Sequence, residues 1–388
     1  HVSLFSDSPH YFRGGEYLLI FDLKKCVMIV ALCSSLASLS VLNFAVAAET
    51  RWSEPQPLTT ELTTEINPYV MQDSNGKIWV LFCSDRGGPW GIWAITSDDG
   101  ASWSAPRQIS PPLQQYTRGG ISMMEDTQGH LWIVWSAGSR AGGDNNLYYI
   151  ISADGGANWS SPQQPYPGSA PWNGYHEPSI VEAFGKIWLL FRCWQNREDI
   201  MIITSPDDGT TWTQPELFVT YPESDATPFA FLDSTGMLWV LWTRDYEWGG
   251  FNRDVWYRTT NDGVNWSPDM RLTYLPGFKW SPSIVERLGQ LYAFFSLLPS
   301  QSSATTEIWY STSGDRTTWS DPERLISEPS GDYWSQPCSG LIGRAIWVLW
   351  SSISSGNHDI WYVVTPIRIR ALVDLDPDTL NVKREGRW

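Results

Sequence analysis

The sequence predicts an all-β fold: a ring of six four-stranded antiparallel blades, a β-propeller. Three observations predict it. Tryptophan followed by Ser or Thr recurs at Trp52, Trp103, Trp159, Trp212, Trp266 and Trp319, with gaps of 51, 56, 53, 54 and 53 residues. An apolar strand core lies between these marks, as in Ile78-Trp79-Val80-Leu81-Phe82 and Leu238-Trp239-Val240-Leu241-Trp242. A shorter apolar pair then follows, as in Ile92-Trp93 and Ile360-Trp361. One repeat cannot bury both of its aromatic faces, whereas neighbours stacked around an axis can.

Composition agrees and removes several function classes. The chain has 388 residues, with 26 Lys and Arg against 42 Asp and Glu, a formal charge of −16. So acidic a chain lacks the electrostatic footprint for nucleic acid or an anionic membrane surface. At 42% hydrophobic and 18% charged it is not a disordered chain, and 14% aromatics favour strands.

Taken in order, residues 1–22 are an unassigned upstream extension. Residues 23–47 read as a signal peptide: Lys24-Lys25, an apolar run from Cys26 to Val46, and Ala45-Val46-Ala47 as an A-x-A site. The alternative is an uncleaved anchor. The expected location is secreted or cell-surface, with no membrane span in the mature chain. Residues 48–366 carry the repeats. Each first strand follows an x-Pro step, as at Glu177-Pro178, and a Gly hairpin such as Gly185 leads to the second. A longer loop leads to the third strand and a Gly turn to the fourth. Trp52-Ser53-Glu54-Pro55 has no strands before it, and the last unit, ending at Ile360–Val364, lacks a fourth strand. The N-terminal strand is therefore expected to close the last blade. Residues 367–388 resemble the start of a truncated C-terminal β-module. Cys83, Cys193 and Cys338 follow the signal; their odd number and wide spacing fit neither a disulfide framework nor a zinc site. At most one bridge is expected, Cys83–Cys338. No metal and no cofactor are expected.

The turn before each Trp is patterned: Thr96-Ser97-Asp98-Asp99-Gly100-Ala101-Ser102-Trp103, Ser152 to Trp159 and Ser205 to Trp212. A fourth copy, Thr259 to Trp266, reads with Asn261 for the Asp, and a fifth, Thr312 to Trp319, without the Asp and Gly. Short hydroxyl and carboxylate side chains bond turn backbone, Gly supplies φ > 0, and Trp anchors between sheets. This pattern resembles the Asp-box, or BNR repeat, of the sialidase (neuraminidase) superfamily. The resemblance implies a sialidase-like six-bladed propeller whose boxes stabilise turns on the face away from the active site.

Function then falls to the loops before strand one and after strand two. Arginines, carboxylates and aromatics gather there, and Arg forks grip carboxylates. Sialidases use three arginines, a Tyr nucleophile beside a Glu, and an Asp acid/base. Carried over residue by residue, Glu177 and Arg192 resemble the Glu and the second arginine, Arg253 the third arginine, and Tyr333 the Tyr. Asp85 and Asp245 are candidate replacement acids. Arg118, Arg244 and Trp280 are further candidate substrate-binding residues. Glu65-Ile66-Asn67-Pro68 lacks the family's first arginine, and Arg86-Gly87-Gly88-Pro89-Trp90 lacks its acid Asp. The implied function is a glycoside hydrolase of exo-sialidase type, or a diverged relative, acting on acidic glycans. The alternative is a non-catalytic propeller that binds glycan or protein.

Overall fold

The computed structural model describes residues 52–110, 120–138, 145–166, 174–194, 197–219, 221–246, 251–303, 305–327, 337–353 and 356–365. The expected signal peptide, the extension before it and the C-terminal module lie outside them. Every regular element among the described residues is a strand, and no helix there is long and apolar enough to cross a membrane.

β1 is Gln56–Pro57. The first repeat is β2 (Glu65–Gln72), β3 (Ile78–Ser84), β4 (Gly91–Ser97) and β5 (Arg107–Gln108). The second is β6 (Ile121–Glu125), β7 (Leu131–Ala137) and β8 (Asn146–Ser152), and the third is β9 (Tyr175–Ala183), β10 (Lys186–Trp194), β11 (Glu198–Ser205) and β12 (Glu216–Leu217). The fourth is β13 (Asp225–Leu232), β14 (Leu238–Asp245), β15 (Arg253–Thr260) and β16 (Met270–Arg271). The fifth is β17 (Phe278–Arg287), β18 (Gln290–Leu298), β19 (Glu307–Ser313) and β20 (Glu323–Ser327), and the sixth is β21 (Cys338–Ile342), β22 (Ala345–Ser352) and β23 (Asp359–Val364). Each repeat pairs as an antiparallel meander. A single parallel bridge, Arg253 to Phe278, joins the fourth and fifth into one eight-stranded sheet. β1 pairs with β23 (Gln56 with Tyr362, Pro57 with Trp361), so the N-terminal strand completes the last sheet.

The second repeat departs from four strands. Its fourth position is one bridge, Tyr149 to Gln163. Pro162 and Pro165 flank that bridge, and neither can donate to a ladder.

The second strands explain the core. β3, β7 and β22 are buried along their whole length. Their alternate side chains point to opposite faces. In β3, Leu81 and Cys83 pack against the second repeat, while Val80 and Phe82 pack against the sixth. The same sandwiching recurs between repeats two and three, three and four, four and five, and five and six. Cys83 and Cys338 consequently sit on opposite faces of the first sheet. Among the described residues Cys83, Cys193 and Cys338 are buried thiols and none is in a disulfide, which corrects the expected bridge. Burial pushes the Cys338 thiol up to about 12.

The box turns lock neighbouring repeats. Ser97 Oγ accepts from the amide of Gly100 at 2.8 Å, and Asp99 Oδ1 accepts from Ala101 and Ser102 at 2.8 and 2.7 Å. The box Trp then meets the aromatic of the preceding repeat edge-on, as Trp159 meets Trp79 at 6.3 Å and Trp266 meets Trp188 at 6.1 Å. Trp52 does the same against Phe294 at 5.7 Å, serving as the last repeat's box residue. Such pairs contribute about 0.5–1.5 kcal/mol beyond burial.

Two boxes are better formed than the sequence suggests. In the fourth, Asp262 accepts from Val264 and Asn265 at 2.8 and 2.7 Å, with Thr260 in the hydroxyl role. In the fifth, Asp315 accepts from Thr317 and Thr318 at 2.9 and 2.7 Å. The Asp is present in both; only the fifth Gly is replaced, by Arg316 at φ 63°. Arg316 bonds Asp233 and Glu286 at 2.8 and 2.7 Å, and these contacts offset its backbone strain.

Candidate functional site

All six first strands, or the steps leading into them, line one cavity of about 90 Å³. The x-Pro steps explain the convergence. Proline has no N–H, so the ladder breaks into a bulge there, seen between Ile66 and Tyr69, Ala226 and Phe229, and Trp280 and Ser283. The residue before each proline is turned to positive φ: Asn67 at 55°, Glu177 at 53°, Thr227 at 52° and Ser281 at 49°. Each such non-Gly residue costs about 1–3 kcal/mol, and strain of this kind clusters at functional sites. Four x positions line the cavity, Asn67, Glu177, Thr227 and Ser281; the second repeat departs from the expected x-Pro step, with Gly120 before Ile121 in the same place, and Glu177 is the only charged residue among the lining residues described.

Glu177 starts a chain of alternating charges. Its Oε2 lies 3.1 Å from Arg192 Nε and accepts from the Thr227 amide at 3.1 Å. The Arg192 contact is close but badly aligned, an ion pair rather than a hydrogen bond. Arg192 Nη1 donates to Glu198. Glu198 Oε2 accepts from Arg253 Nη2 at 3.1 Å, and Arg253 forks onto Asp245 at 2.5 and 2.9 Å. Burial alone would lower both guanidinium groups. For Arg192, Glu177 and Glu198 outweigh it; for Arg253, Asp245 and Glu198 do. Both stay above the ordinary arginine value. The chain holds three carboxylates and two guanidinium groups, a balance of −1.

The structure therefore brings Glu177, Arg192, Arg253 and Asp245 together, and sets others apart. Arg244 is 2% exposed, forked onto Asp225 at 2.7 and 3.3 Å and bonded to Asp269 at 2.9 Å. It is an internal clamp turned away from the cavity, not a group presented to a ligand. Burial raises the Asp225 carboxyl to about 6, with hydrogen bonds from Arg244 opposing. Trp280 is 4% exposed, its ring centred 5.7 Å from Phe278, so it packs inside rather than offering a face. Asp85 accepts from the Thr64 amide at 3.0 Å and holds the loop entering β2. Tyr333 and Arg118 lie outside the described residues. Among the described residues no group of His, Cys, Asp and Glu could hold a metal ion.

Sequence reading missed Glu198, which bridges both arginines. Repeat register contains the signal. Two residues before each third-strand pair stand Trp90, Asn145, Glu198, Arg253, Thr306 and His358. Glu198 and Arg253 are thus equivalent positions in adjacent repeats, and the only acid and guanidinium in the column. Arg192 is likewise the sole charge in its column, with Cys83, Ser136, Thr243, Ser296 and Ser351. Glu177 is the sole charge beside Asn67, Gly120, Thr227, Ser281 and Gln336.

Among solved structures, a protein of unknown function from Dyadobacter fermentans superposes with TM-score 0.66 at 14% identity, over 82% of this chain and 99% of that one. The Hadza microbial sialidase Hz136 gives 0.59 at 18% identity, over 78% of this chain and 66% of that one. An α-L-arabinanase of Penicillium chrysogenum gives 0.60 at 15% identity, over 78% and 93%. At such identities the likeness shows a common fold. No curated protein matches the chain in sequence. The family model of the BNR repeat-like domain matches residues 40–291, most of the span that carries the box turns. With the same turns seen in atomic detail on a fold like that of the sialidase, the chain belongs to the BNR repeat-like domain family.

Proposed function

We propose that residues 48–366 form a six-bladed propeller and that the protein is a glycoside hydrolase acting on a neutral glycan at the mouth around Glu177. One observation carries this reading: among the described residues a single charged side chain, Glu177, stands on the cavity lined from all six repeats. The packing of the sixth repeat against the first supports ring closure. The glycan-acting neighbours, a sialidase and an arabinanase, support the substrate class at the level of fold.

The chemistry follows from the geometry. The Thr227 amide and Arg192 orient the Glu177 carboxylate toward the cavity. There it stabilises the positive charge that develops at an anomeric carbon, as base or as partner of a nucleophile. Tyr333 is the proposed nucleophile and Asp85 the proposed acid. Arg192 and Arg253 are already bonded to carboxylates, and their surroundings are net negative. An acidic sugar would have to displace one of those carboxylates, so the charge balance favours a neutral glycan over the sialic-acid class. The signal-like segment at 23–47 supports secretion or surface display.

A second reading has its own observation. Glu198 and Asp245 are consumed by arginines, which leaves one carboxylate at the cavity among the described residues rather than a pair. That arrangement suits a propeller that binds glycan without cleaving it. Fluorogenic neutral glycosides and a fluorogenic sialoside, tested with wild type and Glu177→Gln, separate the readings. Turnover of a neutral glycoside, reduced at least about 100-fold in the variant, is the expected result. Turnover confined to the sialoside would restore the acidic-glycan reading, and glycan binding with no turnover would establish the binding module.

A further inference from the structure

We infer that the chain carries two binding slots for a small phenolic ligand, one where repeat one packs on repeat two and one where repeat three packs on repeat four. They share no lining residue with the Glu177 cavity, so their test is separate from that of the reaction proposed there.

Repeat register exposes them. One third-strand position pairs with the second strand at equivalent places: Ala94 with Leu81, Tyr149 with Val134, Ile202 with Leu190, Tyr257 with Leu241, Tyr310 with Phe294 and Tyr362 with Leu349. Four repeats hold tyrosine there, whereas repeats one and three hold Ala94 and Ile202. Each tyrosine lies against an aromatic ring of its second strand: Tyr149 on Trp132 at 5.4 Å, Tyr257 on Trp239 at 5.3 Å, Tyr310 on Tyr292 at 6.4 Å and Tyr362 on Trp347 at 4.9 Å. Where the tyrosine is missing, pockets open. One of about 350 Å³ is lined by Trp79, Ala94 and Gly156, and one of about 400 Å³ by Trp188, Ile202 and Gly263. Both volumes fall within the about 300–1,000 Å³ typical of small-ligand pockets. The strands and box turns that form them are described throughout.

The native tyrosines show what fits. Tyr149, Tyr257 and Tyr310 are buried, so the position encloses a six-membered ring. It also serves a hydroxyl: Tyr149 Oη bonds the Gly209 carbonyl at 3.1 Å and Gln163 Oε1 at 2.9 Å, and Tyr310 Oη donates to Glu323 at 2.6 Å. In the two slots Gly156 and Gly263 hold the place of Gly209, and Arg107 and Glu216 hold that of Gln163 and Glu323. Arg107 donates to the Ala157 carbonyl at 3.0 Å and has further N–H groups for a hydroxyl oxygen. A cation accompanies both slots: Lys77 and Lys186 precede the second strands where the other repeats carry His130, Met237, Gln290 and Ala345. Lys77 Nζ lies 5.9 Å from the centre of the Trp79 ring, and a cation favours an electron-rich ring beside it. Trp79 and Trp188 are buried even without the tyrosine, so an incoming ring gains stacking and dispersion more than water release. A sugar fits less well, because its hydroxyls run round the ring and an enclosed slot pairs only those at its end.

The test fills each slot with the side chain that four repeats already carry. Fluorine NMR on the full chain follows 4-fluorophenol, fluorobenzene and 2-deoxy-2-fluoroglucose with wild type, Ala94→Tyr, Ile202→Tyr and the double variant. The expected result is 4-fluorophenol binding that weakens in either single variant and falls about tenfold or more in the double variant, with fluorobenzene bound more weakly throughout. Absence of 4-fluorophenol binding, or binding that survives in the double variant, overturns the slots. Fluorobenzene binding as well as 4-fluorophenol overturns the role of the hydroxyl partners. Fluoroglucose binding that is lost on filling makes the slots sugar sites and overturns the phenolic class. If the filled variants do not fold, crystals of the wild type soaked in phenol decide: a ring against Trp79 and Trp188 supports the inference, and no ring at either overturns it.

Discussion

Replacing Glu198 by Gln tests directly why the mouth should prefer neutral sugars. Glu198 joins Arg192 to Arg253, and the two guanidinium side chains are only 18% and 10% exposed. The amide keeps the shape and removes one charge, so three carboxylates against two guanidinium groups become two against two. Each arginine retains one partner, Glu177 or Asp245, and the fold is not left with a bare buried charge. What changes is the vacancy for an anion. A charge-assisted hydrogen bond is worth about 1.5–3 kcal/mol. A sugar carboxylate taking the place of the lost one therefore gains about 10- to 100-fold in affinity. Titration with N-acetylneuraminic acid and galacturonic acid, beside their neutral counterparts, measures it. Selectivity for the acids should rise in the variant and shrink at high salt, since partly exposed charges are screened. A variant that stays folded, yet shows no rise or an equal rise for neutral sugars, would refute the argument that paired arginines set the ligand class.

Two further predictions concern the scaffold. Gly155 and Gly156 both have positive φ, 66° and 83°, but a Cβ on Gly155 meets nothing within 4 Å whereas one on Gly156 comes 2.1 Å from the Trp79 ring. Gly155→Ala should cost about 1–2 kcal/mol from backbone strain, and Gly156→Ala about 1–3 kcal/mol more from displacing Trp79; equal denaturant midpoints would remove the packing account. Hydrogen bonds from turn amides hold the Asp99 carboxyl at about 2, and those from Asn158 hold Asp154 there too, below the ordinary carboxylate value. A depressed folded-state value means stability present above about pH 4 and lost as pH falls toward 2, so melting temperature should drop across that window and drop less in Asp154→Asn, with parallel curves counting against the box mechanism.

The scaffold was legible because its information is repeated. Strand cores such as Ile187–Phe191 and the box tryptophans recur at nearly constant spacing, and a signal present several times survives local exceptions. The exceptions still misled. Reading the fourth box from Thr259 puts Asn261 in the acid position, while the turn amides donate to Asp262, one residue later. A box is defined by which carboxylate reaches the turn amides, and letter spacing does not fix that when a turn shortens by one residue. Site residues were legible only in part. Glu177, Arg192, Arg253 and Asp245 share loops on one face and do meet. Arg244 sits next to Thr243 on β14 and reads as another rim charge, but strand alternation turns it inward onto Asp225. Nothing local to Arg244 distinguishes inward from outward; its partner is 19 residues away.

Where the repeats stop being equivalent is the better guide to function. Six sheets built from one pattern would present six similar rims, and symmetry of that kind binds nothing in particular. In this chain the second-strand column is small and neutral in five repeats and Arg192 in the third; the column that opens the first strands, before a proline in five repeats and before Ile121 in the second, is neutral in five and Glu177 in the same repeat as Arg192. The fourth repeat answers with Arg253 and Asp245, and the fifth supplies Phe278 beneath Arg253. Divergence is thus concentrated in three consecutive repeats, on one face, and the divergent side chains contact one another. Packing does not require a run of this length: among the described residues, the first repeat's interfaces are apolar side chains and bonded turns, with a single ion pair, Glu65 with Arg86, at the same loops. Buried and half-buried ion pairs are weak stabilisers relative to apolar packing of the same volume, so a run of five charged residues crossing three repeats is costly as architecture alone. It is consistent with a site that must orient one carboxylate, Glu177, while the repeat around it stays rigid.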